Sequence, residues 1–164
     1  MFIRVDNIAK ISRIHLDKIA FDYKLIVISD YNKGFLAESD IEYICNRHPN
    51  VFIDTKKILG SWAKNAKLIK INDYEYRNSK PYLTSALEDL IICTKGADGC
   101  VFRNISYPVN KVDVRDTSGA GDSFMAGLCV KYLQTENIVE SIKFANICAS
   151  EVVKHRGVTI PQQP

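Results

Sequence analysis

No apolar run in the 164 residues approaches the ~18 needed to cross a bilayer; the longest are stretches such as Leu25 to Ile28. The first ten residues, MFIRVDNIAK, lack the basic-then-apolar order of a secretion signal. Internal repeats, low-complexity tracts and linker-like stretches are also missing, which excludes solenoids and disorder and leaves one domain. Neither sign of charge dominates: 22 Lys and Arg face 19 Asp and Glu, a net +3. That balance gives no basic face for nucleic acid. The five cysteines (Cys45, Cys93, Cys100, Cys129, Cys148) are an odd number without CxxC spacing. Three of them sit in apolar segments, so buried reduced thiols in a cytoplasmic protein are expected. Three histidines, His15, His48 and His155, stand far apart in the chain and build neither a metal cluster nor a Ser-His-Asp arrangement. What is present is 46% hydrophobic and 25% charged residues, enough for one well-buried core.

The apolar pattern alternates between two periods. Asp6 to Ala20 carries Ile8, Ile11, Ile14, Ile19 and Ala20 near helical spacing, which predicts a first helix. Lys24 to Ser29 is a short β-branched run that suits a buried parallel strand, and Asp30 to Gly34 follows as a loop. A helix over 38–48 precedes strands at Asn50 to Asp54 and Ala66 to Ile71, with an irregular stretch between them. Another strand, Leu90 to Thr94, leads into a hairpin over 99–110 and then helices over 120–133 and 138–154. Strands alternating with helices predict a layered α/β fold with a mostly parallel sheet flanked by helices. In such sheets the loops after the strand C-termini line the ligand crevice, and the motifs below fall on those loops or on helix starts.

The sharpest string is Asp116-Thr-Ser-Gly-Ala-Gly-Asp122-Ser-Phe-Met-Ala-Gly127. Gly119, Ala120 and Gly121 have little or no side chain, so an anion can approach their backbone N–H groups closely. The periodic segment Phe124, Leu128, Val130, Leu133 starts at once, so the loop opens a helix, and a helix N-terminus attracts phosphate. Asp122 would repel that phosphate unless it faces the nucleophile. That is where a phosphotransferase needs its base, beside the acceptor hydroxyl. A dinucleotide fingerprint fails because position 124 is Phe, and no Gly-Lys-Ser/Thr triplet exists for a Walker loop. An ordinary helix cap is the competing reading of a bare Gly-x-Gly-Asp.

The full string resembles the second signature of the ribokinase or PfkB family of carbohydrate kinases, Asp-Thr-x-Gly-Ala-Gly-Asp followed by a small-residue-rich helix. The resemblance implies a ribokinase-like three-layer α/β fold, the 119–121 loop as anion hole and Asp122 as catalytic base. Other family elements follow suit. Thr94-Lys-Gly96-Ala-Asp-Gly99 is similar to the turn lying along the nucleotide. Asn72-Asp-Tyr-Glu75 resembles the Asn-x-x-Glu motif associated with Mg²⁺ and phosphate, although the same spacing also makes a helix cap. Phe144-Ala-Asn146 resembles the helix beside the adenine pocket, with Asn146 as its polar contact, while a small-residue helix packed on the sheet reads the same way. Asp116 is the candidate for a monovalent cation such as K⁺, as in some relatives.

Ser29-Asp30-Tyr-Asn-Lys33-Gly34 resembles the corresponding segment of bacterial heptose phosphate kinases, the kinase half of the ADP-heptose synthesis enzyme. Arg4-Val-Asp6 and Asp54-Thr-Lys56 look like pieces of that branch. A phosphosugar would suit Asp30, Lys33 and Lys56 as contacts, against the ordinary reading of each lysine as a solvated surface charge. The resemblance runs from Arg4 to Gly157 but covers only the C-terminal, nucleotide and catalytic part of the family domain. The N-terminal strands, most sugar-reading residues and the β lid have no counterpart, and the strand at 24–29 should form an open sheet edge. Three functions are compatible. The chain is a kinase using ATP and Mg²⁺, with K⁺ as the candidate monovalent cation, on a sugar or phosphosugar; a nucleotide-binding remnant; or a subunit that pairs with a copy of itself or with a missing half through that edge. Neither nucleic acid nor membrane is expected as a partner.

Overall fold

The computed structural model describes residues 12–157 and 159. Its centre is a six-stranded sheet in the order β1 (Ile26–Asp30), β2 (Val51–Thr55), β3 (Leu68–Asn72), β4 (Ile91–Thr94), β5 (Cys100–Phe102), β6 (Ile105–Tyr107). The first four strands are parallel, and the last two return antiparallel as a hairpin. The hairpin turn is Arg103-Asn104, both at positive φ (49° and 62°). Two successive left-handed residues make the two-residue turn whose twist matches the flanking strands.

Spatial order follows chain order, so every right-handed crossover falls on the same face of the sheet. That face carries α1 (Glu38–Arg47), a turn with Trp62 buried, α2 (Asp73–Ser79) and α3 (Ser85–Glu88). Ile28, Val51, Ile53, Ile69, Ile71 and Ile91 project into this layer and meet Ile41 and Ile44 of α1 and Leu87 of α3. On the opposite face α4 (Ala120–Thr135) and α5 (Ile138–Val152) pack against each other and over Phe52, Leu68, Ile92 and Phe102. β2 is buried at all five positions because both faces are covered. The three-layer α/β architecture with a mixed, mostly parallel sheet is therefore as expected.

Residues 12–20 differ from the helix anticipated over Asp6 to Ala20. They run as an extended strap with a single 3₁₀ turn at Leu16–Lys18. The apolar spacing is satisfied another way: Ile14, Leu16, Ile19 and Phe21 pack on the α1 layer. The Ile14 N–H donates to the Phe35 carbonyl (2.9 Å), and Arg13 clasps the Asp40 carboxylate at 2.7 and 2.8 Å. Residues 6–11 of that stretch, like Arg4-Val-Asp6, lie outside the described residues.

The cysteines are all free; four are buried and Cys129 is half-buried. Burial pushes the thiols up, to about 11 at Cys45 and about 12 at Cys100 and Cys129, so they stay protonated. Among the described residues β1 forms one edge of the sheet, as expected, and pairs with β2 alone.

Candidate active site

The parallel strands aim their C-terminal ends at one side of the molecule, and α4 begins there. An open cleft of about 140 Å³ lies between them. Asp30 and Ser29 reach it from the end of β1, Asp54 from β2, Lys70 from β3, Lys56 from the loop after β2, and Gly119, Gly121 and Asp122 from α4.

The N-terminus of α4 is built without a side-chain cap. Gly119 stands at the cap position with φ 77°. The Ala120 N–H turns back to the Thr117 carbonyl, and the Ser123 N–H reaches the Gly119 carbonyl at 2.8 Å. The remaining N–H groups of the first turn have no intrahelical partner and form, with the helix dipole, a site for negative charge. A second source of positive charge lies beneath the loop. A Cβ on Gly121 would come within 2.9 Å of the Lys70 ammonium group, so the ammonium lies directly against the glycine turn. Lys70 is 4% exposed and donates to Asp54 Oδ2 at 2.7 Å, its register partner across β2 and β3. The first turn of α4 and the Lys70 ammonium thus border the same cleft.

Asp122, in the first turn of α4, is exposed to the cleft. Its carboxylate accepts from the Tyr31 hydroxyl, 3.2 Å from one oxygen and 3.4 Å from the other. Burial and then the charge of Asp122 push the Tyr31 phenol above its usual range, which keeps it a hydrogen-bond donor at neutral pH. Tyr31 is placed by its own loop. Asp30 Oδ1 accepts from the Asn32 N–H at 3.0 Å, and Lys57 donates to Asn32 Oδ1 at 2.7 Å. Asp30 is otherwise committed to the scaffold, accepting from Thr55 Oγ1 at 2.8 Å and facing Lys57 at 3.5 Å.

The Asn72 and Glu75 pair forms a reciprocal helix cap at the start of α2. The Glu75 N–H donates to Asn72 Oδ1 (2.9 Å) and the Asn72 N–H to Glu75 Oε2 (2.8 Å). Lys56 takes the other oxygen, Oε1, at 2.5 Å. Burial pulls Lys56 down, but its bond to Glu75 and the charges of Glu75 and Asp54 outweigh this and hold it above the usual range. Each Glu75 oxygen already accepts one bond, so a direct Mg²⁺ ligand there would compete with the helix cap and with Lys56. Contact through the ion's waters is what the geometry leaves, a mode Mg²⁺ commonly uses. Among the described residues no group of three His, Cys, Asp or Glu side chains gathers to hold a metal.

The remaining candidates stand apart from the cleft. Thr94 ends β4 and donates to the Ile71 carbonyl at 3.4 Å. Gly96 and Gly99 make the turn into β5, where a Cβ on Gly99 would lie 2.1 Å from the Tyr107 carbonyl oxygen. Asn146 is buried on α5, its amide donating to that same carbonyl at 2.9 Å. Asp116 folds its own loop: Oδ1 accepts from the Ser118 N–H (2.8 Å) and Oδ2 from the Gly157 N–H (2.9 Å). The Ser118 N–H, first among these bonds, lowers its carboxyl below the usual range. Lys33 is exposed and lines no part of the cleft.

A family model described as pfkB family carbohydrate kinase matches residues 25–164, which includes every residue of the cleft. The chain belongs to the pfkB family of carbohydrate kinases. It is 29% identical over 160 residues to the bifunctional protein HldE of Nitratiruptor sp., covering 86% of this chain and 34% of that protein. It is 34% identical over 131 residues to a probable chloroplastic fructokinase-6 of Arabidopsis thaliana, covering 66% and 34%. The chain thus spans about a third of the length of these curated relatives. Among solved structures, ribokinase of Thermotoga maritima superposes with a TM-score of 0.68 at 18% identity, over 88% of this chain and 56% of that one. Phosphofructokinase-2 of Escherichia coli, solved with potassium, gives 0.64 at 16% identity over 83% and 52%. At that identity the likeness is one of fold: the pfkB-family chain has a ribokinase-like sheet with its helical layers.

Three members of the cleft, Tyr31, Asp54 and Lys70, carry parts that spacing alone did not single out. Lys70 did leave a signal. It is the one charge inside the run Leu68-Ile-Lys-Ile71, and a charge in a strand buried on both faces needs a partner.

Proposed function

We propose that this chain is the nucleotide and catalytic part of a kinase that transfers the γ-phosphoryl group of ATP to a sugar or phosphosugar hydroxyl. The observation that carries the reading is the convergence, in one cleft, of a carboxylate, an uncapped helix N-terminus and a buried ammonium. In this reading the amides of Gly119 and Gly121 and the Lys70 ammonium hold the charge of the moving phosphoryl group, while the Ala120 N–H, expected to join them, is engaged by the Thr117 carbonyl. They act there because preorganised donors need no rearrangement as negative charge develops. Asp122, exposed beside them, takes the proton of the acceptor hydroxyl. Thr94, Gly96, Gly99 and Asn146 shape the nucleotide side, the last two by fixing the β5–β6 hairpin. Lys56 and Asp30, which line the cleft, remain the candidates on the acceptor side, and Asp116 for K⁺; Lys33, expected beside them, stands outside the cleft. Mg²⁺, bound with ATP, would neutralise phosphate charge, with Asn72 and Glu75 touching it through water. The cytoplasm, where ATP is available and free thiols persist, suits this activity.

The test supplies the full chain with ATP and, separately, a heptose phosphate, ribose or fructose, and measures sugar phosphate formed. Asp122→Asn should lower the rate by about 10² to 10⁴, the usual weight of a general base. Full activity in that variant would remove Asp122 from the role.

A second reading has its own support. Among the described residues β1 has no partner on its outer edge, and Val27, Val130 and Leu133 are about half exposed on the α4 side of the sheet. With that edge and those side chains open, the alternatives are a nucleotide-binding remnant or a subunit that pairs through the edge. ATP binding without turnover would select the first of these, and a stable oligomer without nucleotide affinity the second.

A further inference from the structure

We propose that Tyr31 is a self-modification site, its phenol oxygen accepting the γ-phosphoryl group of ATP when no other acceptor fills the cleft. This rests on the kinase reading above. A phosphoryl acceptor in such a site needs a hydroxyl, a base on that hydroxyl, and anion-holding donors next to the base. Tyr31 meets each requirement from within the chain. Its hydroxyl donates to Asp122 at 3.2 and 3.4 Å, the interaction an acceptor must make with the candidate base. The ring lines the same cleft as Gly119, Gly121 and Lys70. It is also 54% exposed, so no protein layer separates it from a nucleotide entering from solvent.

A phenol is the easier hydroxyl to deprotonate. A tyrosine loses its proton near pH 10, far more readily than an aliphatic hydroxyl. Burial and the charge of Asp122 raise that value here, so the group is neutral at working pH and a base must remove its proton. In the step, Asp122 accepts the phenolic proton while the Tyr31 oxygen forms a bond to the γ-phosphorus. The bond from that phosphorus to the oxygen bridging the β- and γ-phosphates breaks, and ADP leaves with the electron pair. The product is a phosphotyrosine carrying about −1.5 to −2 charge. Asp122, Asp30 and Asp54 line the same cleft, so the new group repels a second ATP and fills the acceptor position. Labelling therefore stops at one phosphoryl group per chain.

The experiment incubates the full chain with Mg²⁺ and ATP in the absence of sugar. Intact mass and peptide mapping then locate any phosphoryl group, ADP release is followed in parallel, and ATP binding is measured on the same samples. One group per chain on Tyr31 is expected. Tyr31→Phe should carry none while melting as a folded protein, and Asp122→Asn should label at least about 100-fold more slowly. ADP release with Tyr31 unmodified overturns the proposal, as does labelling of Tyr31 at an undiminished rate in Asp122→Asn. A chain that neither labels itself nor releases ADP also overturns it. ATP binding then separates the two readings: bound ATP leaves the nucleotide site standing, and no binding removes the kinase reading as well.

Discussion

Lys70→Met tests whether the ammonium beneath the glycine loop is held as tightly as its geometry implies. Lys70 and Asp54 are 4% and 8% exposed and joined at 2.7 Å, so removing the lysine head strands a carboxylate in the sheet. Breaking a buried pair by deleting one partner costs about 3–5 kcal/mol. Asp54 borders the cleft, where water can approach it, which places the expected loss near the lower end. About 3 kcal/mol corresponds to a melting temperature lowered by roughly 6–12 °C in a chain of this size. Replacing both partners, Lys70→Met with Asp54→Leu, removes the stranded charge and should return stability to within about 1 kcal/mol of the parent.

The double variant also separates scaffold from chemistry. If Lys70 meets phosphate, ATP affinity should stay low in the stable double variant. A charge-assisted hydrogen bond contributes about 1.5–3 kcal/mol, or roughly 10- to 100-fold in affinity. Urea unfolding followed by circular dichroism reads the first quantity, and equilibrium ATP titration reads the second. A loss below about 1 kcal/mol in Lys70→Met would refute the buried-pair argument, since pairs of that weight are solvent-screened. A stable double variant that binds ATP like the parent would make Lys70 a structural residue only.

Gly99→Ala should cost at least about 2 kcal/mol in urea unfolding, because φ is 82° and the new Cβ would meet the Tyr107 carbonyl oxygen at 2.1 Å. Asn72→Ala removes the acceptor for the Glu75 N–H and should cost about 1 kcal/mol in the same assay. Arg13→Gln should destabilise the chain at neutral pH and cease to differ from the parent in strong acid. Arg13 hydrogen bonding holds the Asp40 carboxyl below its usual value, so its stabilisation is present above the ordinary carboxylate range and lost as pH falls through the depressed folded value. Thermal melts across that range check the sign; a difference that grows on acidification would refute it.

Why some of this was legible in the sequence and some was not follows from the range of each interaction. The strands and long helices are local: β-branched runs at 26–30 and 51–55 and the periodic segments after Gly119 and Asn137 declare themselves within a few residues. The strap at 12–20 misled because apolar spacing reports that side chains are buried, and an extended segment anchored by Arg13 to Asp40 buries them as well as a helix does. The Asp116 to Gly127 string showed where α4 begins because a helix N-terminus is also local. Its partners are not. Tyr31 meets Asp122 across 91 residues, and Lys70 meets Asp54 across 16, through the register of two parallel strands. Parallel pairing brings residues of separate strands to the same depth, so a carboxylate ending one buried run and an amine inside the next are a detectable signal once the strands are recognised. The sheet then does what the loop alone cannot: it fixes an ammonium under amides that chain spacing could only suggest were free.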